Sequence, residues 1–274
     1  MKSPFTKGIT RPVQEYTVQR WRDGELEKAN DQLAEEVPVA LVYNGVSHAV
    51  MLASPQDLED FALGFSLTEG ILQDKSELYG VEIQVQENGM ELQVEIATER
   101  FVKLKDHRRN IAGRTGCGLC GAESLTQVFR LPVANDSVTA LQPISMESIF
   151  KAHDSIRALQ PMQKLTGATH ACAWADSGGV IHYVREDVGR HNALDKLLGA
   201  LCKQEVKGGF ILTTSRASYE MVQKVTMMGF DLLAAISAPT GLAVRIAEAY
   251  GVTLLGFVRD QQYVAYSHAN RMTE

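Results

Sequence analysis

The residues best suited to chemistry are two cysteines in the segment Gly113-Arg114-Thr115-Gly116-Cys117-Gly118-Leu119-Cys120-Gly121. Four of these nine residues are glycine, which predicts a loop that moves on its own rather than a helix or a strand. Nearby positive charge favours the thiolate over the thiol. The pattern therefore predicts a nucleophilic cysteine. The nearby cationic residues are Lys103, Lys105, His107, Arg108, Arg109 and Arg114.

Two other interpretations of the pair Cys117 and Cys120 stay open. A structural zinc site needs a second set of ligands, and Cys172, Cys202 and the histidines form no further close pair. A thioredoxin-like dithiol opens a helix directly after a strand, whereas glycines surround this motif. Cys172, in an apolar strand, and Cys202, at the end of a helix, are predicted to be small core residues.

A second set of polar residues follows predicted strands in the C-terminal half. In open α/β sheets, ligands bind outside the carboxyl ends of the strands, where hydroxyls, free backbone N–H groups and arginines can hold a phosphate. This predicts an anion-binding crevice of nucleotide size. The alternative for His191 is a cap or a pair with Asp187 or Asp195, and the alternative for Arg216 and Arg259 is a surface ion pair. The predicted contacts are Asp187, Arg190, His191, Ser215, Arg216, Ser218, Phe257, Val258, Arg259, Asp260, Gln261 and Gln262.

The N-terminal half has to position the cysteine loop. Residues 1–34 are predicted to be a flexible arm with little fixed structure before Trp21, because they are polar and lack periodicity. Residues 35–143 are predicted to form a smaller α+β subdomain that ends in the cysteine loop at 113–121. Its predicted elements are two hairpins turning at Asn44-Gly45 and Asn88-Gly89 and a helix between them, capped by Ser54 and stopping at Gly70.

Residues 144–268 have to position the polar loops. Strands alternate there with helices long enough for crossover connections, which predicts a three-layer αβα architecture with a mostly parallel sheet. Ser145 is predicted to cap the first helix. The predicted strands are 170–175, 180–184, 210–214, 231–236, 252–258 and 263–266, and the predicted helices are 145–159, 192–202, 218–228 and 240–249.

Composition limits the classes of function. The chain has 274 residues, of which 45% are hydrophobic and 22% charged, as in ordinary globular proteins. Its net charge of −6 argues against nonspecific nucleic-acid binding, and no apolar run reaches the length of a membrane span. We expect a cytoplasmic protein with no nucleic-acid or membrane partner, in which a Cys-x-x-Cys is catalytic or metal-binding rather than a disulfide.

Three motifs together carry a resemblance to a known family. They are the cysteine segment at 113–121, Glu186-Asp187-Val188-Gly189-Arg190-His191-Asn192-Ala193-Leu194-Asp195-Lys196, and Ser215-Arg216-Ala217-Ser218-Tyr219-Glu220-Met221-Val222. They strongly resemble the FdhD family, the sulfurtransferases needed to make formate dehydrogenases active. Glu36 to Leu41 and Phe61 to Phe65 also look like that family, so the similarity spans about residues 35–268.

The resemblance implies a persulfide carrier. FdhD-like proteins take sulfur from a cysteine desulfurase and pass it to the molybdenum or tungsten bis(molybdopterin guanine dinucleotide) cofactor. The persulfide residue corresponds to Cys117, and Cys120 corresponds to a supporting cysteine. The cofactor-contacting segment corresponds to residues 257–262, where Asp260-Gln261-Gln262 departs from the second arginine or glycine common in the family and leaves Arg259 as the expected phosphate contact.

The resemblance also sets expectations for fold and partners. It implies a cytidine-deaminase-like fold for the C-terminal part, a homodimer, and a formate dehydrogenase catalytic subunit as partner. Guanosine diphosphate is the expected surrogate ligand, and no metal bound by the protein itself is expected.

Two rival functions stay open. A zinc deaminase needs a His-x-Glu near its cysteine pair, and none of the seven histidines is followed two positions later by glutamate. The second rival is a noncatalytic chaperone that holds or shields the guanine-dinucleotide cofactor. That function would not need Cys117.

Overall fold

The computed structural model describes residues 9–112 and 143–274, with side chains only as far as residue 106 in the first range. Cys117, Cys120 and the rest of the predicted cysteine loop lie outside these ranges. The described chain is a mixed α/β protein with several sheets. Within those ranges, no helix combines the length and the apolar character needed to cross a membrane.

The predicted N-terminal arm contains a long hairpin. β1 (Val13–Arg22) and β2 (Glu25–Ala34) pair antiparallel along their full length. They turn at Asp23-Gly24, whose positive φ angles of 52° and 90° suit a two-residue connection. The prediction of little fixed structure before Trp21 is therefore wrong for residues 13–20. Because the hairpin is largely exposed, its strands lack the apolar alternation by which strands are found in a sequence.

A four-stranded sheet occupies residues 35–112. Its strands are β3 (Val37–Tyr43), β4 (Val46–Ala53), β5 (Leu78–Gln86) and β6 (Gly89–Ile96), in the order β4-β3-β6-β5. Both predicted hairpins are confirmed, although the second turns at residues 87–88, one position earlier than predicted. β3 and β6 lie side by side and run parallel.

Two helices accompany this sheet. α1 (Leu58–Thr68) packs its apolar side chains against β3 and β6, and α2 (Thr98–Ala112) carries the first part of the basic cluster. The predicted cap of α1 is wrong: the helix begins after Asp57, and Ser54 instead bonds to the C-terminal part. Gly70 follows the helix as predicted, with a φ of 69°.

The elements predicted between residues 145 and 266 are confirmed, with ends shifted by a few residues. Ser145 caps its helix by accepting a hydrogen bond from the Ser148 N–H at 3.1 Å. The one addition to the predicted helices of this range is a short helix at residues 161–166. In chain order the elements are β7 (Ile144–Ser145), α3 (Met146–Ile156), α4 (Pro161–Thr166), β8 (His170–Ala175), β9 (Ile181–Asp187), α5 (Arg190–Lys203), β10 (Phe210–Thr213), α6 (Tyr219–Met227), β11 (Leu232–Ala235), α7 (Gly241–Ala249), β12 (Thr253–Arg259), β13 (Gln262–Ser267) and β14 (Met272–Thr273).

Within residues 143–274, six of these strands form one mixed sheet in the order β13-β12-β11-β10-β8-β9. β10, β11 and β12 run parallel, whereas β8 and β13 run antiparallel to their neighbours. The prediction of a mostly parallel sheet is therefore wrong. The sheet is mixed because the hairpins β8–β9 and β12–β13 add antiparallel pairs on both sides of the parallel centre.

Helices cover both faces of this mixed sheet. Ile211 and Leu233 point to the face covered by α5, α6 and α7. Phe210, Leu212 and Leu232, which alternate with them, pack with α3 on the other face. The helices thus form outer layers as predicted, while a cytidine-deaminase-like arrangement remains a prediction.

The two parts meet where α1 crosses α5. A Cβ atom on Gly64 would lie 1.8 Å from the Asp195 carbonyl oxygen, and one on Gly199 would lie 2.0 Å from the Asp60 carbonyl oxygen. Both positions therefore require glycine, because the helix backbones touch. Next to the crossing, the Asp60 carboxylate binds Arg185 at 2.7 Å.

A buried ion pair lies at the same junction. The side chains of Asp187 and Lys196 are 0% exposed and 2.6 Å apart. Asp187 accepts hydrogen bonds from the backbone N–H groups of Ser54 at 3.0 Å and Gly189 at 2.7 Å, and Lys196 donates to the Ser54 carbonyl at 2.9 Å. Burial lowers the pKa of Lys196, and the Asp187 carboxylate opposes that shift. The pair joins β9 and α5 to the end of β4.

Replacing Asp187 by Asn should destabilise the fold by about 3–5 kcal/mol, because it leaves the Lys196 ammonium buried without a counter-ion. Urea denaturation at neutral pH measures the free energy of unfolding. Glu99→Gln is the control, since it breaks an exposed ion pair with Lys103 and should cost at most about 1 kcal/mol. A cost for Asp187→Asn as small as that of the control would contradict the assigned role.

Candidate functional site

Four strands direct their carboxyl ends to one edge of the mixed sheet. β10, β11 and β12 are parallel, and β9 shares their direction because β8 runs antiparallel to both β9 and β10. Such an edge is where ligands bind in α/β sheets. We call it the strand-end site and define it as residues 187–191, 213–220, 236–240 and 257–262.

Backbone contacts tie the connections of the strand-end site to one another. The Thr240 N–H donates to the Ala217 carbonyl at 3.0 Å, and Ala217 forms an isolated bridge with Pro239. The Phe257 N–H reaches the Ser237 carbonyl at 3.4 Å. The segments after β10, β11 and β12 therefore form one continuous surface.

The segment 257–262 departs from regular strand geometry. Phe257 has a φ of 54°, in the left-handed region that favours glycine, and the pairing register shifts between Gly256 and Arg259. This bulge leaves the Phe257 ring 37% exposed, while Val258 is buried. Asp260 and Gln261 then form the turn, at φ angles of 49° and 56°. Residues held in such conformations concentrate at functional sites.

Positive groups gather at the start of α5. Arg190 is its first residue, and the buried Nε of Arg190 has no hydrogen-bond partner among the described residues. Burial lowers the pKa of His170, and the charges of Arg190 and His191 lower it further. Arg216 and Arg259 are exposed, and neither forms an ion pair within residues 9–112 and 143–274. This edge therefore suits an anion.

His191 is held by the segment that follows β10. Its Nε2 lies 2.8 Å from Glu220 Oε2 and 3.1 Å from Ser218 Oγ. The hydrogen bond from His191 lowers the pKa of Glu220 to about 2. The predicted alternative of pairing within the protein therefore applies to His191, but the partner is Glu220 rather than Asp187 or Asp195.

The structure brings most of the predicted contacts together. Ser215 is buried and bonds to Thr213 Oγ1 at 2.9 Å. Asp187 departs from its predicted role, because it is enclosed by the protein and paired with Lys196. Ligand contact by the other residues stays a prediction. Those in the strand-end site are Arg190, His191, Ser215, Arg216, Ser218, Phe257, Val258, Arg259, Asp260, Gln261 and Gln262.

Three residues of this region were not predicted from the sequence. Glu220 holds His191, and His170 lies beside Arg190, but their partners are distant in the chain and no local pattern marks them. Gly256 is different. A Cβ there would lie 2.9 Å from the Tyr266 ring, and a glycine within a strand signals a bulge that could have been found.

Cys172 is fully buried in the core, as predicted. Cys202 is half-buried and packs against the apolar cluster of the N-terminal part from outside it. Among the described side chains, no group of three or more His, Cys, Asp or Glu is placed to hold a metal ion. Cys117 and Cys120, to which the zinc and dithiol alternatives apply, lie outside the described ranges.

Replacing Glu220 by Gln should remove an acid-sensitive part of the stability. Because the folded chain lowers the pKa of Glu220 from 4.5 to about 2, the ionised group stabilises the fold above pH 4.5, and this contribution is lost as the pH falls through about 2. Urea denaturation of both proteins at a series of pH values measures it. The difference in free energy of unfolding should shrink across this window, and a difference that stays constant would contradict the pairing.

Comparisons with known proteins agree on one family. The model of the FdhD/NarQ family matches residues 34–273. The sulfur carrier protein FdhD of Cupriavidus necator is 55% identical over 94% of this chain and 89% of its own length. That of Xanthomonas euvesicatoria is 48% identical over 99% of this chain and 96% of its own.

A solved structure shares the fold. It belongs to a protein of Desulfotalea psychrophila assigned as a formate dehydrogenase accessory protein, with a TM-score of 0.73 and 22% identity. The similarity covers 95% of this chain and 99% of that one. Since the family match extends from the N-terminal sheet to the last strand, the chain belongs to the FdhD/NarQ family.

Proposed function

We propose that the protein is a sulfur carrier that serves formate dehydrogenase. Relatives that are 55% and 48% identical carry the name sulfur carrier protein FdhD. In this proposal Cys117 accepts sulfur from a cysteine desulfurase in the reducing cytoplasm. The molybdenum bis(molybdopterin guanine dinucleotide) cofactor is the substrate that receives the sulfur, and it is held at the strand-end site.

The state of the other cysteines is the observation that carries this proposal. The chain has four cysteines. Burial raises the pKa of Cys172 to about 12 and also raises the pKa of Cys202. A sulfur carrier acts through a thiolate, which these two residues do not supply near neutral pH. The role therefore falls to Cys117 or Cys120, whose neighbours in the sequence are glycines and basic residues.

The first transfer is a thiol–persulfide exchange. The Cys117 thiolate attacks the outer sulfur of the desulfurase persulfide, a new sulfur–sulfur bond forms on Cys117, and the desulfurase cysteine leaves as a thiolate. The exchange needs no added oxidant or reductant. Cys120 takes the supporting role. Transfer of the outer sulfur to the cofactor breaks the sulfur–sulfur bond and returns Cys117 to its thiolate, and the two electrons that bring this sulfur to the sulfide level come from the metal of the cofactor substrate.

The strand-end site supplies groups that a guanine dinucleotide needs. Arg216 and Arg259 are exposed cations for phosphate oxygens, and Arg190 lies close by. The exposed ring of Phe257 offers an apolar face to a base, and the polar side chains of Asp260 and Gln261 follow in the turn. Guanosine diphosphate carries the same base and diphosphate and serves as the surrogate ligand.

Cys117→Ala should abolish sulfur transfer and keep nucleotide binding, because the thiol carries the sulfur whereas the strand-end site binds the nucleotide. Mass spectrometry after incubation with desulfurase and cysteine should find one added sulfur on the unchanged protein and none on the variant. The activity of co-expressed formate dehydrogenase should fall to background, whereas the control Cys202→Ala should keep both. Full activity with Cys117→Ala would favour the noncatalytic chaperone.

Arg259→Ala should weaken guanosine diphosphate binding by roughly 1.5–3 kcal/mol, the value of a hydrogen bond to a charged group. Isothermal titration calorimetry measures the change in affinity. Arg20→Ala is the control, because Arg20 is an exposed arginine on the N-terminal hairpin. An affinity as unaffected as that of the control would remove Arg259 from the site.

A further inference from the structure

The N-terminal sheet ends in an unpaired strand with an apolar stripe. β5 is last in the order β4-β3-β6-β5, so one side of its backbone is unpaired within the described residues. Two side chains on one face of β5 are exposed, Ile83 by 41% and Val85 by 55%. Val81, on the same face, packs against the core beneath the sheet. The stripe therefore continues the core outward to an open edge.

The sequence of β5 does little to protect this edge. Proteins blunt exposed edges with proline, lysine, bulges or covering segments. β5 has no proline, lysine or arginine, and its bulge lies at one end, between Leu78 and Gly80. The opposite edge is bonded within the chain at its end, where the Leu52 carbonyl of β4 accepts a hydrogen bond from Asn192 at 2.8 Å. An open apolar edge is a surface on which another strand can add.

We propose that β5 pairs with β5 of a second copy of the chain. The two strands run antiparallel about a two-fold axis and join two four-stranded sheets into one. In an antiparallel pair, two residues directly opposite each other point to the same face of the sheet. Because the two strands are identical and related by a two-fold axis, one residue at the axis must then lie directly opposite the same residue of the second copy. This surface is inferred from the strand itself and goes beyond the homodimer that the family resemblance implies.

The side chains of β5 are complementary with Ile83 at the axis. On the apolar face Ile83 then meets itself, and Val81 meets Val85 of the second copy. On the polar face Glu82 lies opposite Gln84 of the second copy, which gives a carboxylate–amide pair. An axis at Glu82 would instead set two carboxylates directly opposite each other, which is destabilising.

The backbone of β5 agrees with this register. β5 and β6 are joined by a two-residue connection, so the closing pair Gln86–Gly89 is hydrogen-bonded. From there along the strands, hydrogen-bonded pairs alternate with pairs that are not hydrogen-bonded. The even-numbered residues of β5 therefore bond to β6. Val81, Ile83 and Val85 direct their N–H and C=O groups to the free edge, and the register above pairs these three residues.

Sedimentation equilibrium of the full chain tests the proposal. The unchanged protein should be a dimer. Ile83→Lys sets two ammonium groups opposite each other and should raise the dimer dissociation constant at least about tenfold. Val50→Lys is the matched control, because Val50 is an apolar residue 61% exposed on the opposite edge strand β4, and it should leave the dimer intact.

Ile83→Cys provides a second test that does not depend on the lysine variant folding. Opposed Cα atoms in a hydrogen-bonded pair are about 5.5 Å apart, within the range of roughly 4.4–6.8 Å that a disulfide bridges. Oxidation should link two copies through position 83, as mapped by peptide mass spectrometry, with the unchanged chain as control for its own cysteines. Glu82→Cys should give no link.

Several outcomes would overturn the proposal. They are a monomeric unchanged chain, a dimer that survives Ile83→Lys, and linkage from Glu82→Cys in place of Ile83→Cys. Loss of the dimer on replacing Trp21, which is 69% exposed in the N-terminal hairpin, while Ile83→Lys has no effect would assign the interface to that hairpin. These measurements involve neither sulfur transfer to the cofactor nor nucleotide binding, so their failure would leave the proposed function standing.

Discussion

The close crossing of α1 and α5 is the constraint on which the strand-end site depends. Glycines at positions 64 and 199 let the two backbones touch, and the buried pair of Asp187 and Lys196 fixes the start of α5 against the end of β4. Arg190 and His191 are the first two residues of α5. Since a helix start fixed at its backbone has little freedom to rotate, the junction sets where these two side chains stand relative to the sheet edge.

This dependence explains why the motif at 186–196 was only partly understood from the sequence. Polar residues after a strand indicate a ligand site, and Arg190 and His191 do lie at the sheet edge. Glu186 and Asp187, however, bond within the protein: Glu186 accepts hydrogen bonds from the Met162 N–H at 2.9 Å and the Gln163 N–H at 2.8 Å. A sequence pattern cannot separate the two uses, because a carboxylate that binds backbone N–H groups and one that binds a ligand are the same residue type.

Local signals predicted the elements, and nonlocal contacts decided their arrangement. Asn44-Gly45 and Ser145 acted on residues next to them, so the first hairpin and α3 were predicted correctly. The direction of β8 depends on pairing with β10, about 40 residues later, and alternation of helices and strands does not reveal it. His191 shows the same limit at the site, because its partner Glu220 lies on another helix.

The turns of this chain differ in how much strain they hold. The hairpins at Asp23-Gly24 and Asn44-Gly45 place glycine at the second left-handed position, with φ angles of 90° and 81°. At residues 260–261 the second position is Gln261, with a φ of 56°, and Phe257 is left-handed as well. A non-glycine residue in this region costs of order 1–3 kcal/mol, and such a cost persists only where the surroundings enforce it. Here the hydrogen-bonded loops after β10 and β11 enforce these conformations. They keep the exposed ring of Phe257 and the exposed amide of Gln261 at the sheet edge, although glycine at these positions would relieve the strain. The strain held by these side chains at this edge therefore supports the proposal that they meet a ligand.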